Sequence, residues 1–186
     1  EDGTHHNDLR HRSALEHQIT DELKTSGRPR IIFVSSETHR SAQPPDIESL
    51  GSFEDYTIGK SLARYGQIKL LLQTFAAELT RRFSDADRID VAVHSLCPGP
   101  VNTRIAREAS KLLQPLVGLI LLFFKSPKKA SRPIVFLACS PQIEDDTGIY
   151  LHVMNRKEPS DQAKNSDFGR ALWEKSRELI ASPPGL

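Results

Sequence analysis

Short apolar runs alternate with long helical stretches in this chain, and that alternation limits its fold more than any other feature. Residues 30–34 read Arg-Ile-Ile-Phe-Val, apolar after the first position and rich in β-branched side chains. Such a run fits a strand buried on both faces, as in a parallel sheet. Residues 89–96, centred on Val91 and Val93, form a second run, and residues 148–153 a third. Between the first two lies the clearest helix, 65–82, where Ile68, Leu71, Leu72, Phe75 and Leu79 recur at helical spacing and predict the buried stripe. Residues 9–25 carry a sparser stripe of Leu15, Ile19 and Leu23, closed by Ser26-Gly27-Arg28-Pro29. Ser126-Pro127 opens a helix running to about Cys139, with Pro133 expected to kink it. Ser166 is expected to cap a last helix with Leu172, Trp173, Leu179 and Ile180 facing inward. Strands alternating with helices argue for an α/β fold with a parallel, doubly wound sheet.

Three strands make an incomplete sheet. The run 30–34 reads as central yet has no evident neighbour on one side, and an open apolar edge invites pairing with another chain. The 186 residues can hold one domain with a real core, and no repeat or second domain is visible. The expectation is therefore a single partial domain over 1–186, with 182–186 a loose tail. The polar start from Glu1 to His6 reads as the interior of a longer chain, with none of the basic-then-apolar pattern of a signal peptide.

Charge excludes one class of partner. With 25 Lys+Arg against 24 Asp+Glu, no basic field exists to attract nucleic acid. Cys97 and Cys139 form no CxxC pair and have no His at ligand spacing, so neither a disulfide framework nor a metal site is expected. Both read as small buried hydrophobes in a reducing, cytoplasmic setting. The uncharged run 116–124 would span only about 13 Å as a helix, too short for a bilayer core of about 30 Å. It can be a buried helix, the floor of a greasy pocket, or an element dipping into a membrane surface.

Chemistry concentrates in three places. Tyr65 and Lys69 stand four apart on one helix face. A free tyrosine loses its proton only near pH 10, and a fixed ammonium one turn away favours the phenolate, which makes the pair a usable proton donor and acceptor. Ser35 and Ser36 follow the first strand, at the end where α/β folds bind ligands, and a hydroxyl there can hydrogen-bond a substrate oxygen. Pro98-Gly99-Pro100-Val101-Asn102-Thr103 follows the second strand, where Pro-Gly lets backbone turn close to a flat ligand. Each motif alone also fits bland structure: a surface Tyr-Lys pair, a polar turn, a β-turn.

The ordered set, strand-Ser-Ser, Tyr65-x-x-x-Lys69, strand-Pro-Gly-x-Val-x-Thr, resembles the catalytic part of short-chain dehydrogenases/reductases with their Rossmann-like sheet. The likeness extends to the retinol-dehydrogenase-like group. Ser36 and Tyr65 are 29 residues apart, and Thr38-His39 follows the serine. Asn7-Asp8-Leu9-Arg10-His11 looks like that group's Asn-x-Leu-Gly-His helix start, and the Gly148-Ile149-Tyr150 strand and the helix from Leu172-Trp173-Glu174 to Leu179 look like its C-terminal end.

The resemblance implies a general acid or base at Tyr65, a supporting cation that also bonds the nicotinamide ribose at Lys69, a substrate-orienting hydroxyl at Ser36 and a relay water held by Asn7. Pro98, Gly99, Val101 and Thr103 would line the nicotinamide of NADP or NAD. The implied substrate is a hydrophobic alcohol, aldehyde or ketone; the open sheet edge makes a homo-oligomer a further expectation, and the run 116–124 a peripheral membrane contact. The family's glycine-rich phosphate turn is absent from these 186 residues, so the cofactor site is incomplete and the chain is expected to be inactive alone. Arg10 and Arg12 also replace a glycine and an apolar residue of the pattern. The alternative is a non-catalytic interaction module pairing through the open sheet edge.

Overall fold

The computed structural model describes residues 27–52, 58–85, 88–101 and 126–181. Its centre is a four-stranded sheet in the order β1-β2-β3-β4, built from β1 (Arg30–Val34), β2 (Ala92–Cys97), β3 (Tyr150–His152) and β4 (Asn155–Lys157). The three expected strands are parallel, with Val34 opposite Leu96 and Cys97 opposite His152, so their carboxyl ends lie side by side. β4 was not expected. It returns antiparallel to β3 through the tight turn at Val153 and Met154, and its Asn-Arg-Lys sequence is fully exposed, which hides it from any hydrophobic pattern.

Helices cover both faces. Helix α1 (Ile58–Phe83) crosses from β1 to β2. Short α2 (Pro127–Ala130) and α3 (Arg132–Cys139) precede β3, and α4 (Asp161–Lys164) and α5 (Ser166–Ala181) follow β4. Ile31, Phe33 and Val93 point to one layer, against Phe75, Ala76 and Leu79 of α1 and Trp173 of α5. Ile32, Leu96 and Leu151 point to the other, against Leu137 of α3 and Ile143. This two-sided burial is why the strands read as continuous apolar runs. Leu96 and Leu137 are fully buried, and each such side chain contributes roughly 1.5–3 kcal/mol.

Several local expectations are corrected. α1 starts seven residues before Tyr65, so the connection after β1 is shorter than 35–62 and contains two 3-10 turns, Glu37–Arg40 and Ile47–Ser49. Its most buried side chains include Leu70, Gln73, Thr74, Ala76 and Glu78, while Ile68 is 55% exposed. The sheet-facing side of α1 is partly polar because Gln73 Nε2 donates to Ser95 Oγ at 2.8 Å inside the core. Periodicity finds the greasiest face, and here that is not the most buried one.

Pro133 begins α3 rather than kinking a longer helix, since its missing N–H costs nothing in a first turn. α5 is capped by Asn165, whose Oδ1 accepts from the amides of Asp167 and Phe168, and not by Ser166. Ile180 and Cys139 are exposed, not inward. Residues 9–25, the run 116–124 and the tail 182–186 lie outside the described residues.

Candidate active site

Ser36, Pro98, Gly99 and Val101 follow the carboxyl ends of β1 and β2, and α1 carries Tyr65 and Lys69 beside them. Ser35 and Ser36 leave β1 in opposite roles. Ser35 is buried, its amide donates to Leu96 O at 2.7 Å, and its hydroxyl lies 3.5 Å from Lys69 O, so it fastens the strand to its neighbours. Ser36 is half-buried and extended (φ −153°, ψ 149°), and its Oγ accepts the Thr38 amide at 3.3 Å at the head of the first 3-10 turn. A hydroxyl that accepts from a backbone N–H keeps its own proton to donate elsewhere.

Lys69 reaches back from α1 to the same strand end. Its Nζ donates to Val34 O at 3.0 Å and stands 5.5 Å from the centre of the Tyr65 ring. The ammonium is thereby held one residue from the serine pair and over the face of the tyrosine, within cation–π range. Tyr65 itself is 44% exposed. Gly66, between them, makes the approach possible. A Cβ there would lie 3.3 Å from both Thr38 O and Ala42 Cβ, so the 3-10 turn that begins at Ser36 packs on bare helix backbone.

After β2, Pro98 and Gly99 are half-buried and Gly99 takes φ 76°, a left-handed conformation that side-chain-bearing residues rarely adopt. Val101 is also half-buried. The structure therefore gathers Ser36, Tyr65, Lys69, Pro98, Gly99 and Val101 at one edge of the sheet. Asn7 and Thr103 lie outside the described residues.

Sequence reasoning missed a second layer behind Ser36. Glu37 Oε1 accepts from the Tyr150 hydroxyl at 2.6 Å, and its Oε2 accepts from Lys157 at 3.0 Å and Arg40 at 3.2 Å. Burial raises the Glu37 carboxyl, but the Tyr150 and Lys157 hydrogen bonds and the Arg40 charge outweigh it and hold the group at about 2. Burial, and then the bond to Glu37, drives the Tyr150 phenol well above its ordinary value, so it is a fixed donor. His39 is fully buried against the Tyr150 ring, with centroids 5.4 Å apart and planes at 82°. Only the Thr38-His39 pair after the serine hinted at this layer.

One more buried imidazole stands apart from the site. His94, on β2, is 1% exposed, with no hydrogen bond at either ring nitrogen among the described residues. Burial, and then Arg30, lowers it to about 4. Among the described residues no group of three or more His, Cys, Asp or Glu side chains gathers to hold a metal ion. None of their helices is long and apolar enough to cross a membrane.

Comparison with known proteins gives relatives and a likeness of fold. No protein-family model matches the chain. Retinol dehydrogenase 13 from Mus musculus is 31% identical over 172 residues, covering 89% of this chain and 49% of its own length. Retinol dehydrogenase 14 from Mus musculus is 32% identical over 161 residues, with 85% and 46% covered, and polyprenol dehydrogenase from Homo sapiens is 30% identical over 174 residues, with 89% and 50% covered. A crystal structure of an uncharacterized protein from Mycobacterium Paratuberculosis superposes with a TM-score of 0.53 at 20% identity, covering 86% of this chain and 53% of that one, which is a likeness of fold. The chain spans about half the length of the curated relatives it matches. With this Rossmann-like sheet and these relatives, the chain belongs to the short-chain dehydrogenase/reductase family, among its retinol-dehydrogenase-like members.

Proposed function

We propose that this chain carries the proton-transfer part of an NAD(P)-dependent oxidoreductase that interconverts an alcohol and a carbonyl on a hydrophobic substrate. The observation that carries the reading is the Lys69 ammonium, held at 3.0 Å on Val34 O beside the serine pair and over the Tyr65 ring. Tyr65 hands its phenolic proton to the substrate oxygen during reduction and takes it back during oxidation. Lys69 compensates the charge left on the phenolate and would hold the ribose of the cofactor. Ser36 donates its free hydroxyl proton to the same substrate oxygen and fixes its position. Asn7 holds a water that returns the proton from solvent.

The donors and the left-handed turn at Gly99 fit the nicotinamide end of a dinucleotide, which Pro98, Gly99, Val101 and Thr103 would hold. When bound, the cofactor supplies the hydride. No glycine-rich phosphate turn occurs in these 186 residues, so we assign turnover to an assembly that includes one and inactivity to this single domain alone. The hydrophobic substrate class rests on the relatives named for retinol and polyprenol and on the apolar run 116–124, which fits a greasy pocket wall or a membrane-surface contact.

A second reading is favoured by one feature. β1 is the outer strand of the sheet among the described residues, and Val34 at its end is 43% exposed, so the chain can instead pair through this edge as a non-catalytic module.

The test is NADPH-dependent reduction of a long-chain aldehyde by this chain alone and after joining it to the glycine-rich half of a retinol-dehydrogenase relative. We expect no turnover from the first and turnover from the second. A joined protein that folds and binds NADPH yet never reduces the aldehyde supports the interaction module instead.

A further inference from the structure

Behind Ser36 stands a side chain whose two nitrogens face partners of opposite kind. His39 Nδ1 lies 2.7 Å from Ser36 O, and its Nε2 lies 3.2 Å from the Ser160 amide nitrogen. A carbonyl oxygen can only accept, so Nδ1 must carry the proton. A backbone amide can only donate, so Nε2 must present a lone pair. The geometry therefore requires one neutral tautomer, with the ring donating to the serine and accepting from the segment after β4. Burial is the largest influence on the ring and keeps it from protonating; Arg40 acts in the same sense, against the Ser36 carbonyl and Glu37.

The two ends of this bridge matter differently. Ser36 O is also the acceptor for the His39 amide at 3.2 Å, closing the turn whose first free amide, Thr38 N–H, binds Ser36 Oγ. Ser160 caps α4 through its Oγ on the Ala163 amide at 3.3 Å, and Ala163 is fully buried with Leu70 of α1 and Ala42. Through His39 the serine turn is thus anchored to a piece of core that packs on α1, the helix carrying Tyr65 and Lys69.

We propose that His39 is a positioning residue for Ser36, its imidazole clamping the serine's carbonyl to the Ser160 amide so that the Ser36 hydroxyl holds a fixed direction toward the substrate oxygen. The functional consequence rests on the reading of Ser36 given above; the clamp itself does not.

Two substitutions separate the two bonds. His39→Asn places an amide N–H where Nδ1 stands and keeps the bond to Ser36. His39→Gln places an acceptor where Nε2 stands and keeps the bond to Ser160. Amide hydrogen exchange by NMR on the 186-residue chain reads each directly. His39→Gln should speed exchange at Thr38 by about tenfold while Ser160 stays protected, the size of one lost hydrogen bond. His39→Asn should do the reverse. Equal effects of both variants at Thr38 and Ser160 would reduce His39 to filling space and overturn the proposal. Should a variant fail to fold, the wild-type ring decides the matter: a 15N spectrum showing Nδ1–H neutral imidazole at pH 7 supports the clamp, and an Nε2–H or protonated ring overturns it.

In the joined protein, His39→Gln should lower kcat about tenfold with KM unchanged and add nothing in a Ser36→Ala background. An additive loss would mean His39 does not act through the serine. Absence of any turnover would count against the oxidoreductase reading alone, because the exchange result stands without it.

Discussion

At the scale of single residues the proposed chemistry rests on Tyr65, Lys69 and Ser36. Tyr65→Phe removes only the transferable proton, so in the joined enzyme kcat should fall by at least about 10²-fold with NADPH affinity nearly unchanged. Retained turnover would take the tyrosine out of the scheme. Lys69→Ala should harm both rate and NADPH affinity; a titration giving wild-type affinity would remove the ribose contact. Val153 offers a residue-scale test of the fold. It adopts φ 62° in the β3–β4 turn, where a β-branched side chain is strained and Asn or Gly is favoured. Val153→Asn should therefore stabilise the chain by about 1 kcal/mol in urea melts. A lower midpoint would show that the side chain contributes more by packing than the backbone loses. The Tyr65-x-x-x-Lys69 motif was legible because it lies on one helix face. The partners of Glu37 were not: Tyr150 is 113 residues away, and only the parallel register of β2 and β3 brings it beneath the serine turn.

At the scale of elements, α1 organises the molecule. One side supports the sheet, its central turn carries Tyr65 and Lys69, and its end is locked to α5. There Glu78, 3% exposed, accepts from Arg81 and Arg82 at 2.8 Å each, and Arg82 lies 4.4 Å over the Trp173 ring. Glu78→Gln weakens two charge-assisted bonds at once and should cost about 1–3 kcal/mol. An unchanged melting temperature would show that the bonds from Arg81 and Arg82 to Glu78 contribute nothing net to the end of α1. The strands and α1 were readable because burial on both faces and helical periodicity leave a strong pattern. β4 was not, because three exposed polar residues leave none. The buried face of α1 was misread because it contains Gln73, Thr74 and Glu78, whose burial depends on partners elsewhere in the fold.

At the scale of the whole molecule, buried His94 and partly exposed Glu37 set an acid limit. His94 titrates near 4 in the folded chain against about 6.5 in a free histidine, so the unfolded chain takes up the proton first as pH falls. Its neutral burial is fully tolerated above pH 6.5, and stability on the order of 3 kcal/mol is lost between 6.5 and 4. Glu37 adds a second window: held at about 2 against a usual 4.5, its stabilisation is complete above 4.5 and disappears as pH falls toward 2. Urea melts at pH 7.5 and pH 5 should show the first loss, and His94→Leu should flatten it. An equal acid loss in that variant would place the cause elsewhere.

The outer position of β1 among the described residues and the half-length match to the curated relatives belong to this scale too. Both suit a sheet that continues in further strands; the candidate Ser and Tyr-Lys motifs are legible because each is local in sequence, and no glycine-rich phosphate turn occurs in these 186 residues. Aldehyde reduction by the joined protein, compared with its Tyr65→Phe variant at saturating NADPH, decides whether Tyr65 transfers the proton. Turnover that vanishes with the phenolic proton is the predicted result. Turnover that persists in Tyr65→Phe would contradict the account.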